Sequence, residues 1–312
     1  MAIEEAYSLE IQQVIDAEIA YDLYWSGKLT DKQKFICAGD NCQAQITCAC
    51  MDMPEQNLKQ VPHFRMPNDT HSKNCSLFKD EHQINHIGGG ISTARGLNKI
   101  KSKQEKFNFS RPVIDTNIDS SKELPIVKST LKSSGNSVGY SQSNNIKRMY
   151  SLRPVIKNWL KYRKANTLGK HYINMERDIK YANLFKGVFR QNIDNYPDEN
   201  LIFYGKAFID KLKDDKGYRL KFLEPLKITI DKTVQEIKPT FFVSKEMIEN
   251  YPIKSLLTTR LKKIEEKKQN IAAVFIYSKP ILNGKYINFN LNNLDLLEIR
   301  YLDFYTQIYS SK

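Results

Sequence analysis

Two pairs of metal-binding residue types lie near the N-terminus of this sequence. Cys37 and Cys42 are separated by four residues, and His71 and Cys75 by three. Each spacing lets one tight turn present two side chains to one ion, and Gly39 supplies the first turn. Three thiolates and one imidazole are a normal set of structural zinc ligands. The sequence therefore predicts a Zn²⁺ site formed by Cys37, Cys42, His71 and Cys75.

Two further cysteines and one histidine in the same region allow other interpretations. Cys48 and Cys50 are two residues apart, so on a strand both side chains point to one side, and we predict that they enter the small core. A rival ligand set of Cys48, Cys50, His63 and His71 has poor geometry, because two ligands on one face of a straight strand do not converge on one ion. The remaining alternative is a set of buried free thiols.

The same segment carries a resemblance to a known family. The order Phe-x-Cys-x4-Cys-x-Ala-x-Ile, then His-Phe, then His-Ser-x2-Cys resembles the zinc-finger-like segment at the front of CoiA-like competence proteins, over residues 15–78. The resemblance implies a role in DNA uptake or DNA processing. Such segments usually carry His-Phe-x-His, and Met66 replaces the second histidine here, which points to His71 as the ligand. CoiA-like chains often continue into a nuclease domain, but no Glu/Asp-x-Lys pattern lies on a convincing strand pair here, so nuclease activity is not carried over.

The positive charge of the chain is concentrated in its C-terminal half. Residues 151–312 hold 30 Lys and Arg against 18 Asp and Glu, which accounts for +12 of the net charge of +13. A folded domain with that charge favours an anionic partner, most commonly nucleic acid. The alternative is a lysine-rich surface that serves solubility alone.

Side-chain alternation along three predicted strands indicates which residues could contact a nucleic acid. When the apolar side chains face the core, each strand turns a cation outward, and two of the strands add a tyrosine. Bases of a single-stranded nucleic acid stack on such rings while cations contact the phosphates. The predicted nucleic-acid-binding residues are Tyr204, Lys206, Arg219, Lys221, Tyr277 and Lys279. The alternative is that both tyrosines cover a sheet edge or pack on the preceding helices.

Hydrophobic periodicity predicts the elements that position these residues. A helix is predicted over 8–25, with two short strands as the alternative, a second helix begins at Pro154, and a third covers 178–190. A fourth begins at its cap Ser244 and runs to about residue 268. Strands are predicted at 201–209, 218–223, 228–230, 240–243, 272–278 and 286–291. The order of three strands, a helix and two strands resembles a five-stranded OB-type barrel.

Composition divides the chain into three parts. The predicted helices and strands together indicate an α+β fold. We predict a zinc-binding module at 1–85, a flexible linker at 86–147 and a basic OB-like β-barrel with flanking helices at 148–312. The linker is rich in Gly, Ser and Asn and has little to bury, which predicts disorder or ordering on contact with a partner. Phe107, Phe109 and Tyr140 are its candidate anchors.

These features together favour one class of function. No apolar run approaches the roughly 20 residues of a membrane span, and the first thirty residues are acidic and lack a secretory signal, so we expect a cytoplasmic protein without membrane contact. Phosphate-binding loops and catalytic motifs are missing. The sequence predicts a non-enzymatic nucleic-acid-binding protein that favours single strands. It also predicts a possible protein partner at the zinc module or linker, and a role as a recognition or adaptor subunit in bacterial DNA processing or phage defence. The competing functions are a divergent metal-dependent nuclease using carboxylates at 194–199 and a protein-interaction scaffold.

Overall fold

A computed structural model of the chain divides it into two compact units. The first contains Met1–Lys101 and Pro112–Gln142, and the second contains Ser102–Arg111 and Ser143–Lys312. The structure describes residues 3, 5–39, 42–54, 62–67, 71, 72, 75, 104–112, 146–189, 191–196 and 198–310. Both helices and sheets are present, which confirms the α+β class.

The first unit is built on a five-stranded sheet with one helix. The sheet order is β2-β1-β3-β4-β5, and its neighbouring strands are antiparallel. Its elements are β1 (Glu5–Ser8), β2 (Gln13–Asp16), α1 (Ala17–Trp25), β3 (Phe35–Cys37), β4 (Gln45–Ala49) and β5 (His63–Arg65). Phe35 and Phe64 are buried with their ring centroids 5.2 Å apart, so aromatic packing joins β3 to β5.

The first helix begins later than its periodicity predicts. Ser8, where the predicted helix starts, lies at the end of β1, and the chain passes through a turn that includes Gln12 at a φ of 53° before β2. Asp16 is the actual cap, because its backbone is extended and its side chain accepts a hydrogen bond from the N–H of Ile19 at 2.8 Å. The alternative of two short strands is wrong for 19–25, which are helical, although two strands do form before the helix, at Glu5–Ser8 and Gln13–Asp16.

A four-stranded sheet opens the second unit. Its order is β7-β6-β8-β9. Strand β6 (Gln104–Phe107) lies parallel to β7 (Ile146–Met149) and to β8 (Tyr172–Asn174), and β8 is antiparallel to β9 (Asp178–Lys180). The linker predicted for 86–147 therefore contains a strand, and Phe107 on that strand is 2% exposed. Two-sided strand pairing and a buried ring stabilise a segment whose composition alone favours disorder. Tyr140 lies outside the described residues.

Two helices were predicted in this region, and the structure contains one of them. Helix α2 (Leu152–Lys164) forms where a helix was expected. The helix predicted over 178–190 is wrong: the chain forms β9 (Asp178–Lys180), a single helical turn α3 (Tyr181–Leu184) and β10 (Phe185–Gly187). Pairing of β10 with a long neighbouring strand overrides the local helical pattern.

An eight-stranded curled half-barrel sheet forms the body of the second unit. Along the path β17-β18-β15-β12-β11-β16-β19 each strand is bonded to the next, and β10 pairs with β11. Its strands are β11 (Leu201–Lys211), β12 (Gly217–Phe222), β15 (Thr240–Ser244), β16 (Ile271–Ser278), β17 (Pro280–Asn283), β18 (Tyr286–Phe289) and β19 (Leu297–Tyr301).

The five-stranded OB barrel is not what the structure shows. The third predicted strand, now β13 (Leu226–Ile230), lies outside the large sheet and pairs with β14 (Thr233–Ile237) in a separate two-stranded hairpin. Asp231 and Lys232 turn this hairpin with φ values of 48° and 67°, the left-handed conformation that tight two-residue hairpin turns require. The turn folds the strand back on itself instead of passing it into a barrel.

The large sheet has two distinct faces. Its inner face carries Phe203, Leu220 and Val274, all of which are fully buried. It is covered by α4 (Lys245–Glu249) and α5 (Lys254–Glu265), whose Leu261 and Ile264 belong to the same core. One helix was predicted over 244–268, but Pro252 separates it into two because proline lacks an N–H and disfavours helical backbone before it.

The outer face is covered in part by α2 and by α6 (Leu302–Ser310). Trp159 of α2 lies 5.2 Å from the Tyr204 ring, and Phe304 of α6 lies 6.0 Å from Phe275, as ring centroids. Both target residues alternate with the inner-face residues of their strands. In the described part of the chain, no helix is long and apolar enough to cross a membrane.

Candidate metal centre and sheet surface

The four predicted metal ligands converge on one point in the first unit. The Nδ1 atom of His71 lies 3.4 Å from the Sγ of Cys37, 3.5 Å from that of Cys42 and 3.4 Å from that of Cys75. The Sγ atoms of Cys37 and Cys75 are 3.8 Å apart, and all four ligand atoms lie within 4.8 Å of one another. This cluster could hold a metal ion.

Strand β3 and the turn that follows it position the first ligand pair. Cys37 is the last residue of β3, and its N–H bonds the carbonyl of Ala44 at 2.9 Å, which closes the turn between the two cysteines. Within this turn the N–H of Gly39 points to the Sγ of Cys37 at 3.3 Å, and the N–H of Cys42 to the carbonyl of Gly39 at 3.2 Å. The N–H to sulfur bond favours the thiolate form that a metal needs.

A similar turn presents the second pair. The N–H of Cys75 donates to the carbonyl of Ser72 at 3.0 Å, so Cys75 returns toward His71. Cys75 is fully buried, whereas His71 is half-buried. The two turns thus direct all four ligand side chains toward the same point.

The two thiols of the first pair have opposite tendencies to ionise. Burial alone raises the pKa of Cys42, but the backbone N–H groups of Ala44 and Ser72 and the side chain of His71 lower it to about 6. Burial and the neighbouring thiol of Cys42 raise the pKa of Cys37 to about 12. A bound cation would remove this conflict, since it stabilises every thiolate around it.

The rival ligand set is not assembled. Cys48 is fully buried on β4, where it pairs with Phe64, and burial raises its pKa, as expected of a core thiol. Cys50 lies beyond the end of β4 at a φ of 65° and is half-buried, so the expectation that it shares a straight strand with Cys48 is wrong. His63 lies on β5, opposite Ala49. His82 and His86 lie outside the described residues.

The two tyrosines predicted to stack on bases are buried. Tyr204 is 9% exposed and lies beneath Trp159, and Tyr277 is 5% exposed with its ring 5.8 Å from that of Phe109. Helix α2 and the segment after β6 cover this half of the outer face. The assignment of Tyr204 and Tyr277 to a nucleic-acid surface is therefore wrong, and the alternative that they pack on covering elements is the structure's arrangement.

The four predicted cations are distributed over different surroundings. Lys206 lies on the outer face with its Nζ 5.2 Å above the ring of Tyr305. Lys279 pairs with Asp198 at 3.6 Å, beyond the end of β16. Arg219 and Lys221 are exposed side by side on β12. These last two remain in the uncovered part of the outer face.

Three exposed aromatic residues on the outer face were missed. Phe208 is 37% exposed, Phe242 53% and Tyr286 69%. Phe208 lies opposite Lys221, and Phe242 lies opposite Arg219. The signal was present in the alternation, because Phe208 has the same parity as Lys206, and Phe242 lies between two inward residues.

The carboxylates of 194–199 serve separate partners. Asp194 accepts a hydrogen bond from the N–H of Thr229 at 2.9 Å, and Glu199 pairs with Arg177 at 2.8 Å. Asp198 pairs with Lys279. Among the residues that the structure describes, the group of metal-ligand side chains that comes together is the Cys/His cluster of the first unit.

Comparisons with known proteins supply no relative: no family model, no curated protein and no solved structure matches this chain. The features of the chain that bear on its function are the metal centre and the uncovered sheet face.

Proposed function

We propose that this chain is a non-enzymatic single-strand nucleic-acid-binding protein, in which a structural Zn²⁺ ion stabilises the first unit and the second unit binds the nucleic acid. The observation that carries the proposal is the pairing of exposed phenylalanines with exposed cations on the outer face. The wider role in DNA processing or phage defence stays a prediction of the N-terminal sequence pattern, and a protein partner stays a prediction of the same kind.

The geometry of the Cys/His cluster supports zinc. Zinc binds sulfur at about 2.3 Å and imidazole nitrogen at about 2.0–2.1 Å, so a regular tetrahedron separates two sulfurs by about 3.8 Å and a sulfur from a nitrogen by about 3.6 Å. The corresponding distances here are 3.8 Å and 3.4–3.5 Å. Thiolate-rich sites exclude the hard cations Mg²⁺ and Ca²⁺. All five cysteines are unpaired, which agrees with a reducing cytoplasm as the proposed location.

The surface that we assign to nucleic acid is called the open face. It consists of two rows that cross three adjacent strands of the outer face. The first row is Phe208, Lys221 and Thr240, and the second is Asp210, Arg219 and Phe242.

The two phenylalanines occupy opposite corners of the open face. They are separated by two strand spacings and two residues, or about 12 Å, so each would hold a different base. Lys221 and Arg219 lie between them on β12. Asp210 pairs with Arg219 at 2.9 Å, which fixes the guanidinium in place at an exposed site.

Exposed aromatic rings beside cations are what a single strand requires. A phenylalanine ring in water loses favourable contacts that a stacked base restores, at about 1–3 kcal/mol per base. Flanking cations attract the phosphates and make binding sensitive to salt. Duplexes hide their base faces, so the exposed rings favour single strands over duplexes.

Binding of the full chain to oligothymidylate and oligouridylate 15-mers, followed by fluorescence anisotropy, tests the proposal. We expect Phe208→Ala or Phe242→Ala to weaken binding by about 1–3 kcal/mol while the dependence on salt stays the same. Val234→Ala is the matched control, since Val234 is 58% exposed but lies on the separate hairpin. If the wild-type chain fails to bind at low salt, or if the phenylalanine variants bind like the control, the proposal is wrong.

A further inference from the structure

The longest stretch of sequence with charges of one sign in the described chain includes helix α2. Between Ile146 and Met175 the sequence has eight Lys and Arg residues and no Asp or Glu. Helix α5 is also basic, but Glu265 and Glu266 interrupt its cations. A folded protein keeps a block of like charge at some cost in self-repulsion, which an anionic partner would relieve.

Three lysines of α2 form a row along its solvent side. Lys157, Lys161 and Lys164 are all exposed, whereas Trp159 on the opposite side is buried. At 3.6 residues per turn the three lysines lie within about 60° of one another around the axis and extend over about 10 Å of its length. We call this row the lysine edge.

The lysine edge lies on the same side of the large sheet as the open face. Trp159 packs on Tyr204 and so holds α2 on the outer face. Tyr204, Lys206 and Phe208 are every second residue of β11, and all three side chains lie on that face. The distance from Tyr204 to Phe208 along the strand is about 13 Å, and Lys206 lies between them. A chain of phosphates that leaves the open face along β11 would therefore meet Lys206 first and α2 next.

An exposed ring lies near the end of the same helix. The ring of His171 stacks on Tyr162 of α2 with centroids 3.6 Å apart, and the next residue, Tyr172, is 52% exposed. The Nζ of Lys180 lies 5.5 Å from the Tyr172 ring. This part of the surface repeats the combination of ring and cation that the open face shows.

We propose that the lysine edge of α2 is a second contact for the same single-stranded nucleic acid, in which Lys157, Lys161 and Lys164 bind the phosphates of the segment that extends beyond the open face. This inference rests on the proposed function and deepens it, because it sets the length of the bound segment. A strand that covers only the open face would miss these lysines, and a longer strand would contact them.

The experiment compares two doubly substituted full-length chains. Lys161→Gln with Lys164→Gln removes two cations from the last turn of α2, and Lys262→Gln with Lys263→Gln removes two from the last turn of α5. The two changes are matched in net charge and in their effect on a helix C-terminus. Helix α5 lies against the inner face, where its Leu261 and Ile264 are buried, so its exposed lysines are on the other side of the sheet from the lysine edge.

Binding of oligothymidylate 10-mers and 30-mers is measured at several salt concentrations. For the 30-mer we expect the α2 variant to lower the slope of log K against log salt by about 1.4, because each lost contact with a single strand accounts for about 0.7. The gain in affinity from 10-mer to 30-mer should shrink in this variant. The α5 variant should keep both the slope and the gain of the wild-type chain.

Three outcomes would overturn the inference alone, and a fourth would overturn the proposed function with it. Equal losses in the two variants would show a general charge effect, and an unchanged slope in the α2 variant alongside weak binding by Phe242→Ala would leave the open face as the whole site. Binding to phosphatidylserine vesicles that the α2 variant loses, without any change for the 30-mer, would assign the lysines to a lipid surface. If the wild-type chain binds neither oligonucleotide, the proposed function fails together with the inference.

Discussion

Three thiols and an imidazole in one small space need a cation if all the thiols are to ionise. The Sγ of Cys42 ionises more readily than that of Cys37, because hydrogen bonds that outweigh its burial lower its pKa to about 6. Removing that thiolate leaves three ligands and opens one side of the site. Since a structural metal contributes its binding free energy to folding, the loss reaches the whole first unit.

We expect Cys42→Ser to lose zinc and to lower the unfolding temperature of the first unit. The measurement is zinc per chain by atomic emission after dialysis, with about one ion expected in the wild type. Cys50→Ser is the control, because Cys50 is half-buried and lies outside the cluster, and it should keep the ion. Equal zinc in the two variants would contradict the assignment of Cys42 as a ligand.

Residue types and spacing were enough to predict the cluster, but they were not enough to predict the exposed rings. Cys37 and Cys42 are close in sequence, so one turn brings their sulfur atoms together whatever the rest of the fold does. Tyr204 and Phe208 have the same parity on one strand, and alternation alone treats them alike. Helix α2 covers Tyr204 and leaves Phe208 exposed, and that difference depends on tertiary packing that no local pattern contains.

At the scale of elements, the residue that caps α1 makes the stability of the first unit depend on pH. Desolvation of the half-buried Asp16 carboxyl and its acidic neighbours Glu18, Glu5 and Asp22 raise its pKa to about 7, against the opposing bond from the N–H of Ile19. The unfolded chain loses that proton near pH 4, so between pH 4 and 7 the folded chain holds more protons. The free energy of unfolding therefore falls as the pH rises through this window.

Asp16→Asn should remove that part of the pH dependence. Asparagine keeps the oxygen that caps the helix but has no proton to lose. We expect the variant to gain stability over the wild type as the pH rises from 5 to 8, measured by urea unfolding of the zinc-loaded chain. The Cys/His cluster is the same in both chains, so the difference between their stability profiles isolates Asp16. Parallel stability profiles would contradict the prediction.

A second element-scale prediction concerns the start of β12. Gly217 has a φ of 117°, and a Cβ added there would lie 2.1 Å from the carbonyl oxygen of Val243 on β15. Gly217→Ala should therefore destabilise the second unit by about 3 kcal/mol or more, since both backbone strain and a clash with backbone arise. Gly284→Ala is the control: its φ is 59° but its surroundings are open, so about 1–2 kcal/mol is expected in urea unfolding. Similar costs for the two variants would rule out the clash as the cause.

Hydrophobic periodicity predicted the positions of helices and strands better than it predicted which strands pair. Five of the six predicted strands lie in the large sheet, and α2 is where its apolar face predicts it. The barrel was wrong because strand order along the chain does not determine which strands pair. The tight turn at Asp231 and Lys232 gives β13 a partner of its own, and this removes it from the sheet.

At the scale of the whole molecule, the second unit includes β6, a strand that lies far before the rest of that unit in the sequence. Glu105 on β6 is 7% exposed and accepts hydrogen bonds from the hydroxyls of Tyr162 and Tyr181 and from Asn158. Arg111, just after the strand, pairs with the buried Asp295. Composition placed this segment in a linker because its sequence is polar. Its contribution to the fold comes from buried contacts with residues 53 to 184 positions away in the chain.

These contacts predict that a fragment of residues 143–312 is much less stable than one of residues 102–312. Without β6, the hydroxyl of Tyr181 and the amide of Asn158 are buried without their acceptor, and each unsatisfied group costs about 1–3 kcal/mol. Strands β7 and β8 also lose the neighbour that joins them. Urea unfolding followed by circular dichroism should show a lower midpoint for the shorter fragment.

A synthetic peptide of residues 102–112, added to the shorter fragment, separates loss of the strand from loss of chain length. If β6 acts through its contacts, the peptide should raise the midpoint as its concentration rises, in the way that any ligand of the folded state does. The same peptide with Glu105→Gln should stabilise less, because the amide has one acceptor oxygen and cannot accept from both tyrosines and Asn158 with the strength of a carboxylate. Equal midpoints for the two fragments without peptide would show that β6 is dispensable, and the boundary of the second unit would then lie at residue 143 instead of 102.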